Sequence, residues 1–229
     1  MADRLKRVGI VLTVLGLAFI AAGGFAFFKT QEGANSLTAF SAAQDIKLNY
    51  NEEGQLVDRG EVEGAQAIMN LLTVDWGYPV NTAELNPNDP LVNTSSEYMY
   101  QMATIAYHTL NGTQTVTLKE DFTAPDGTVY KADTPYEIPV NGRYWADFDR
   151  SNPIDAAVRA QAWTGVAHAL IANLGVGTVT ATAIQMGFGL AGGFAGFGFA
   201  FILTGLGLFW AARAELATVK VTRTANVPI

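Results

Sequence analysis

The stretch Met186–Trp210, MGFGLAGGFAGFGFAFILTGLGLFW, runs for 25 residues without a charge. As a helix rising about 1.5 Å per residue it reaches roughly 37 Å, enough to cross a bilayer core of about 30 Å with some tilt. A second uncharged run, Val8–Phe28, lies near the opposite end of the chain. Together they predict a membrane α-helical hairpin, one span at each end, with an α+β domain between. The expected division is a cytoplasmic N-terminus over 1–7, a first span over 8–28, an extracytoplasmic domain over 29–183, a second span over 184–211 and a cytoplasmic tail over 212–229.

Charge supports that division. The 229 residues carry a net charge of −7, but 19 acidic and 7 basic residues fall between Gln31 and Thr180, a net of −12 against +5 elsewhere. Arg4, Lys6 and Arg7 precede the first run, and Arg213, Lys220 and Arg223 follow the second. Lys and Arg near span ends stay on the cytoplasmic side, so both termini are expected in the cytoplasm and the acidic domain outside the cell (inner) membrane. A cleavable signal peptide also begins with basic residues and an apolar run, but its apolar core is about 7–15 residues, shorter than Val8–Phe28. Reading Ala162–Ala181 as a third span would put His168 and Asn173 in lipid and reverse the C-terminal orientation. The chain has no cysteine, so the domain folds without disulfides. Its acidity argues against nucleic acid, which requires clustered Lys and Arg.

Between the runs, period and punctuation predict the elements. Gln31–Gln44 continues the first helix outward. Ile46, Leu48 and Tyr50 alternate with polar residues before Asn51-Glu52-Glu53-Gly54, which reads as a β-hairpin over Asp45–Asp58. Glu61–Thr73 is a short amphipathic helix, and Val74–Val92, with Pro79, Pro87 and Pro90, is a loop. Thr94 and Glu97 form a capping box for a helix ending near Asn111-Gly112. Within Thr113–Val140, the strands Thr115–Leu118, Thr128–Tyr130 and Tyr136–Val140, with the turn Ala124–Gly127, are expected to make a small antiparallel sheet. Asn152, Pro153 and Asp155 start a last helix expected to run to about Asn173, with Gly175-Val176-Gly177 as a break before the second span.

Small residues four apart let helices approach closely in lipid. Ala18, Ala22 and Ala26 satisfy that spacing in the first span, and Gly189 with Gly193 and Gly192 with Gly196 in the second. Either the two spans pack on each other through these positions, or the glycine face meets helices of another membrane protein or of a second copy. The expected partners are therefore the lipid bilayer and neighbouring helices.

The aromatic residues Trp76, Tyr78, Tyr144 and Trp145 are a candidate ligand cleft, although aromatic side chains in such a domain also serve as core. His108 and His168 with a carboxylate would suffice for an open metal site, but no HExxH or other ligand spacing accompanies them. Asp147, Asp149, Ser151 and Asp155 resemble the start of a calcium loop, yet Asn152 stands where the glycine belongs and Val158 where the bidentate glutamate belongs. The same carboxylates fit a helix cap. There is no GxSxG elbow, and the glycine run lacks the GK[ST] ending of a phosphate loop. No catalytic set and no cofactor is implied.

The segments YNEEGQLVDRG (50–60), VDWGYPV (74–80), DPLVNTSSEYMYQMATIAYHTLNGTQTV (89–116) and NGRYWADFDRSNPID (141–155) resemble a family of uncharacterised actinobacterial membrane proteins with a span at each end. Members often carry the label of an aromatic ring-opening dioxygenase subunit. A non-haem iron site needs a facial set of histidines and a carboxylate, which two unspaced histidines do not supply. The expectation is a non-enzymatic accessory or scaffold subunit of an envelope or respiratory membrane complex. Alternatives are a ligand-binding or sensory ectodomain and, last, a metal-dependent enzyme.

Overall fold

The computed structural model describes residues 1–225, with side chains as far as Ala214. The chain divides into two compact units, one formed by Met1–Ser36 with the chain from Ala183 onward, the other by Leu37–Thr182. The first unit is two long apolar helices, from α1 (Ala2–Gln44) and α5 (Gly165–Ala225). Helix α1 continues outward through Gln44 as expected, whereas α5 is already helical from Gly165, well before the expected start of the second span, because no proline and no capping sequence interrupts its backbone there. Gly175 and Gly177 likewise lie inside continuous helix rather than at a hinge.

Within this unit the helices meet along small residues seven apart. Gly9, Gly16 and Gly23 on α1 face Gly205, Gly198 and Ala191 on α5: a Cβ on Gly9 would lie 2.8 Å from the Gly205 carbonyl oxygen, one on Gly16 2.6 Å from that of Gly198, and one on Gly23 3.0 Å from that of Ala191. Ala2 and Ala212 are buried in the same phase. A step of seven returns within about 20° of the same line on a straight helix, which is the coiled-coil condition. Carbonyl oxygens this close to a facing backbone favour Cα–H···O contacts, available only without side chains between. Phe19 packs among Phe194, Phe197 and Phe201, with ring centroids 5.7–6.3 Å apart, beside the seam.

The positions with four-residue spacing are not the ones used between α1 and α5. Ala18 and Ala22 are exposed and Ala26 half-buried, while Gly189, Gly192, Gly193 and Gly196 have no atom within 4 Å of where a Cβ would stand. A step of four drifts about 40° around a straight helix, so such a row leaves the contact line of a long pair within two turns.

The second unit is α+β. Helix α2 (Val62–Asn70) buries Ala65 and Ile68, and continues into a π-helical turn, Leu71–Asp75. Helix α3 (Ser95–Leu110) begins at the full capping box of Thr94 and Glu97. Strands β1 (Thr113–Thr117) and β4 (Pro135–Pro139) pair antiparallel, and β2 (Phe122–Thr123) and β3 (Val129–Tyr130) form a separate antiparallel pair. Helix α4 (Pro153–Ala162) starts at Asn152, whose side chain accepts from the backbone N–H of Ile154 and Asp155.

Two expectations change. The hairpin over Asp45–Asp58 reduces to one bridge, Tyr50 with Leu56, because its first arm bonds elsewhere: Leu48 N–H donates to Pro90 O and Val92 N–H to Ile46 O. The last soluble helix ends at Ala162, not Asn173, and restarts where the Thr164 hydroxyl accepts from the N–H of Ala167.

Two apolar clusters flank α3. One gathers Leu71, Leu110, Val116, Val140, Phe148, Ile154, Val158 and Trp163; the other gathers Leu48, Ile68, Leu72, Val92, Tyr98, Ala103 and Leu174. The adjacent leucines Leu71 and Leu72 enter different clusters, and the wide π turn occurs where α2 divides its side chains between them.

Candidate functional site

The π turn also builds a cleft. Trp76 N–H reaches back to Leu71 O across five residues, which leaves Asp75 on the rim and turns the Trp76 ring against both clusters. Gly77, at φ +64°, then reverses the chain in a conformation that costs a residue with a Cβ more than glycine. Trp76, Tyr107 and Tyr144, with Leu71, Leu110, Asn70, Asn111 and Asp75, line an open cleft of about 710 Å³.

Its far wall is held from several directions. Trp76 Nε1 donates to the Tyr144 hydroxyl at 2.8 Å. The Tyr144 N–H donates to Asp147 Oδ2 at 2.8 Å, and its ring stacks on Trp163 at 5.7 Å. Trp163 Nε1 in turn donates to Arg143 O at 3.0 Å, and Arg143 Nη1 to Asp155 Oδ1 at 2.7 Å.

Two of the four aromatic residues singled out from sequence therefore come together. Tyr78 instead packs on the Leu72 cluster, where burial pushes its hydroxyl above the usual range and nearby Glu84 adds to the effect. Trp145 lies between the guanidinium groups of Arg150 and Arg159, 4.8 and 4.7 Å from its ring centroid, with His168 against its edge. Sequence reading missed Asn70, Asp75, Tyr107 and Asn111. Asp75 beside Trp76 was a visible signal, whereas Asn111 reads only as a helix stop.

The acidic residues of the calcium-like motif have other occupations. Asp147 holds Tyr144, and Asp149 accepts from the N–H and hydroxyl of Ser151, bonds that keep its carboxyl below the usual range. Asp155 takes Arg143 on one oxygen and the Asp149 N–H on the other. His108 Nε2 lies 2.9 Å from Asp58 Oδ1, while His168 Nδ1 sits at Thr164 O. Among the described residues no three His, Cys, Asp or Glu side chains gather as a metal set.

A further buried polar cluster surrounds the α3 cap. Glu97, 1% exposed, accepts from the N–H groups of Asn93 and Thr94 and from the Thr94 hydroxyl. Burial nevertheless raises its carboxyl above the ordinary value. The Tyr100 hydroxyl, buried without a hydrogen-bond partner among the described residues, is also pushed up, chiefly by desolvation, with the Asp58 charge adding to the effect. Compared with known proteins, the chain matches no family model, no curated protein and no solved structure.

Proposed function

We propose that this chain is an integral membrane protein spanning an inner membrane twice, with both termini cytoplasmic, and that it is a non-enzymatic accessory subunit. On this reading its second span docks a helix of another membrane protein. Insertion is supported by the character of the helix surfaces. Only 11% of the most apolar window of each long helix is buried, whereas the core helix of a soluble protein buries most of such a window. Leu17, Phe25, Phe28, Phe197, Leu203 and Trp210 face outward, an apolar surface suited to lipid rather than water.

The observation that carries the docking role is the division of the α5 glycines. Gly198 and Gly205 fill the seam with α1, whereas at Gly189, Gly192, Gly193, Gly196 and Gly207 an added Cβ would meet nothing within 4 Å among the described residues. Glycine in a lipid-facing helix gives up side-chain contact area, and a second backbone approaching that face regains it. Purification from native expression levels in mild detergent tests the reading. The expected result is a stoichiometric second polypeptide, lost in the double variant Gly193→Leu/Gly196→Leu while the chain stays folded. Recovery as a lone monomer overturns it, and a product containing only copies of this chain moves the partner to a second protomer.

A further inference from the structure

We infer that the cleft between the π turn and Tyr144 binds a small organic cation, an amine or quaternary ammonium group, between its aromatic walls and the Asp75 carboxylate. The inference does not depend on helix docking by α5.

At about 710 Å³ the cleft is in the usual range for small-molecule sites, roughly 300–1,000 Å³. Three rings line it, and the faces of Trp and Tyr attract cations through their quadrupoles. Asp75 is the sole acidic or basic residue among the lining side chains, it is exposed, and it makes no hydrogen bond or ion pair among the described residues. A lone carboxylate beside aromatic faces complements a positive ligand and repels an anion.

The remaining polar groups include acceptors as well as donors. The Tyr144 hydroxyl accepts from Trp76 Nε1 and keeps its own O–H to donate. Asn111 uses one of its two Nδ2 hydrogens on Tyr107 O, and its Oδ1 is an acceptor open to a ligand. The Asp75 carboxylate and Asn111 Oδ1 are acceptors in this lining that suit the N–H groups of an amine. A metal ion is a poor fit, because one carboxylate among aromatic walls falls short of the oxygen shell a hard cation needs. The domain's net charge of −12 between Gln31 and Thr180 also raises the local concentration of cations.

Backbone geometry supplies an independent indication. The π turn inserts its extra residue where Asp75 and Trp76 become neighbours on the rim, and single π turns recur at functional sites. The wall opposite is fixed by Asp147 and Trp163, so the rings are placed before any ligand arrives.

The test uses the full chain in phosphatidylglycerol nanodiscs, so that no lipid headgroup carries choline. Calorimetric titrations with choline and benzyltrimethylammonium are compared with 3,3-dimethylbutan-1-ol, the uncharged isostere of choline. The expected result is saturation by both cations below about 10 mM, with the isostere at least about tenfold weaker. Asp75→Asn, at an exposed position, should weaken the cations about tenfold without lowering the unfolding temperature. Trp76→Phe should weaken them severalfold. Absence of saturation by either cation overturns the inference, as does equal binding of the isostere that Asp75→Asn leaves unchanged.

Discussion

Gly16 and Gly198 face each other so closely that a Cβ on the first would stand 2.6 Å from the carbonyl oxygen of the second, and a Cβ on the second 2.8 Å from the carbonyl oxygen of the first. Neither position accepts a side chain unless the helices separate. Gly16→Val should therefore destabilise the hairpin by about 1–3 kcal/mol, the usual range for overpacking a filled contact. Gly193→Val, where nothing lies within 4 Å, should leave the same measurement unchanged. Thermal unfolding of the two variants in detergent provides the comparison; equal loss in both would mean the seam lies elsewhere.

Gly177 has the corresponding role in the α+β unit. A Cβ there would fall 2.6 Å from two atoms of the Tyr98 ring, whose hydroxyl bonds the buried Ser41 hydroxyl at 2.8 Å. The ring is held at both ends and has little room to yield. Gly177→Ala should cost about 1–3 kcal/mol, although alanine is the better helix former by about 1 kcal/mol at an unobstructed site. Urea denaturation reads the sign: a stabilised variant would show that Tyr98 swings aside freely.

How much of this was legible in the sequence depended on whether the signal was local. The capping box of Thr94 and Glu97, the cap at Asn152 and the turn Ala124–Gly127 were readable, because each is decided by residues a few positions apart, whereas the strands expected in one sheet form two separate pairs. The arm Ile46–Leu48 was misread since its partner, Pro90–Val92, lies far along the chain and alternation does not name a partner. Of the two contacts open to the four-spaced glycines, the one between the spans runs instead along Gly9, Gly16 and Gly23, because a four-residue spacing marks close approach in general and the seven-residue row marks this antiparallel pair. The cleft was half visible: aromatic residues flagged Trp76 and Tyr144, but only the π turn sets Asp75 on the same rim, and no residue pattern announces that turn.

Glu97 gives a pH dependence with a definite sign. Burial raises its folded-state carboxyl pKa, so between the ordinary carboxylate range and that raised value the folded protein binds more protons than the unfolded chain. Stability then falls as pH rises through this window, and above it the cost of the buried charge is fully present. Glu97→Gln keeps an oxygen acceptor for the N–H groups of Asn93 and Thr94 and should flatten that part of the profile. Glu97→Ala leaves those donors unpartnered and should cost about 1–3 kcal/mol at all pH values. Chemical denaturation across pH 4 to 8 would separate the two, and a wild-type profile rising through the window would contradict the direction.

Asp155 connects the α4 cap to the cleft, and its loss should be felt at both. Its oxygens accept from Arg143 Nη1 at 2.7 Å and from the Asp149 N–H at 3.1 Å. In Asp155→Ala a largely buried guanidinium loses its carboxylate, at a cost of about 2–3 kcal/mol, below the usual value for a fully buried pair because both side chains retain some solvent contact. Arg143 also carries the carbonyl that accepts from Trp163 Nε1, and Trp163 is the surface on which Tyr144 stacks. The expected outcome is a lower unfolding temperature together with a change in near-ultraviolet circular dichroism from the Trp163 and Tyr144 rings. Asp155→Asn, which keeps an acceptor for one of the two donors, should give a smaller change of the same kind. A destabilised variant with an unaltered aromatic spectrum would show that the cap and the cleft wall are energetically separate.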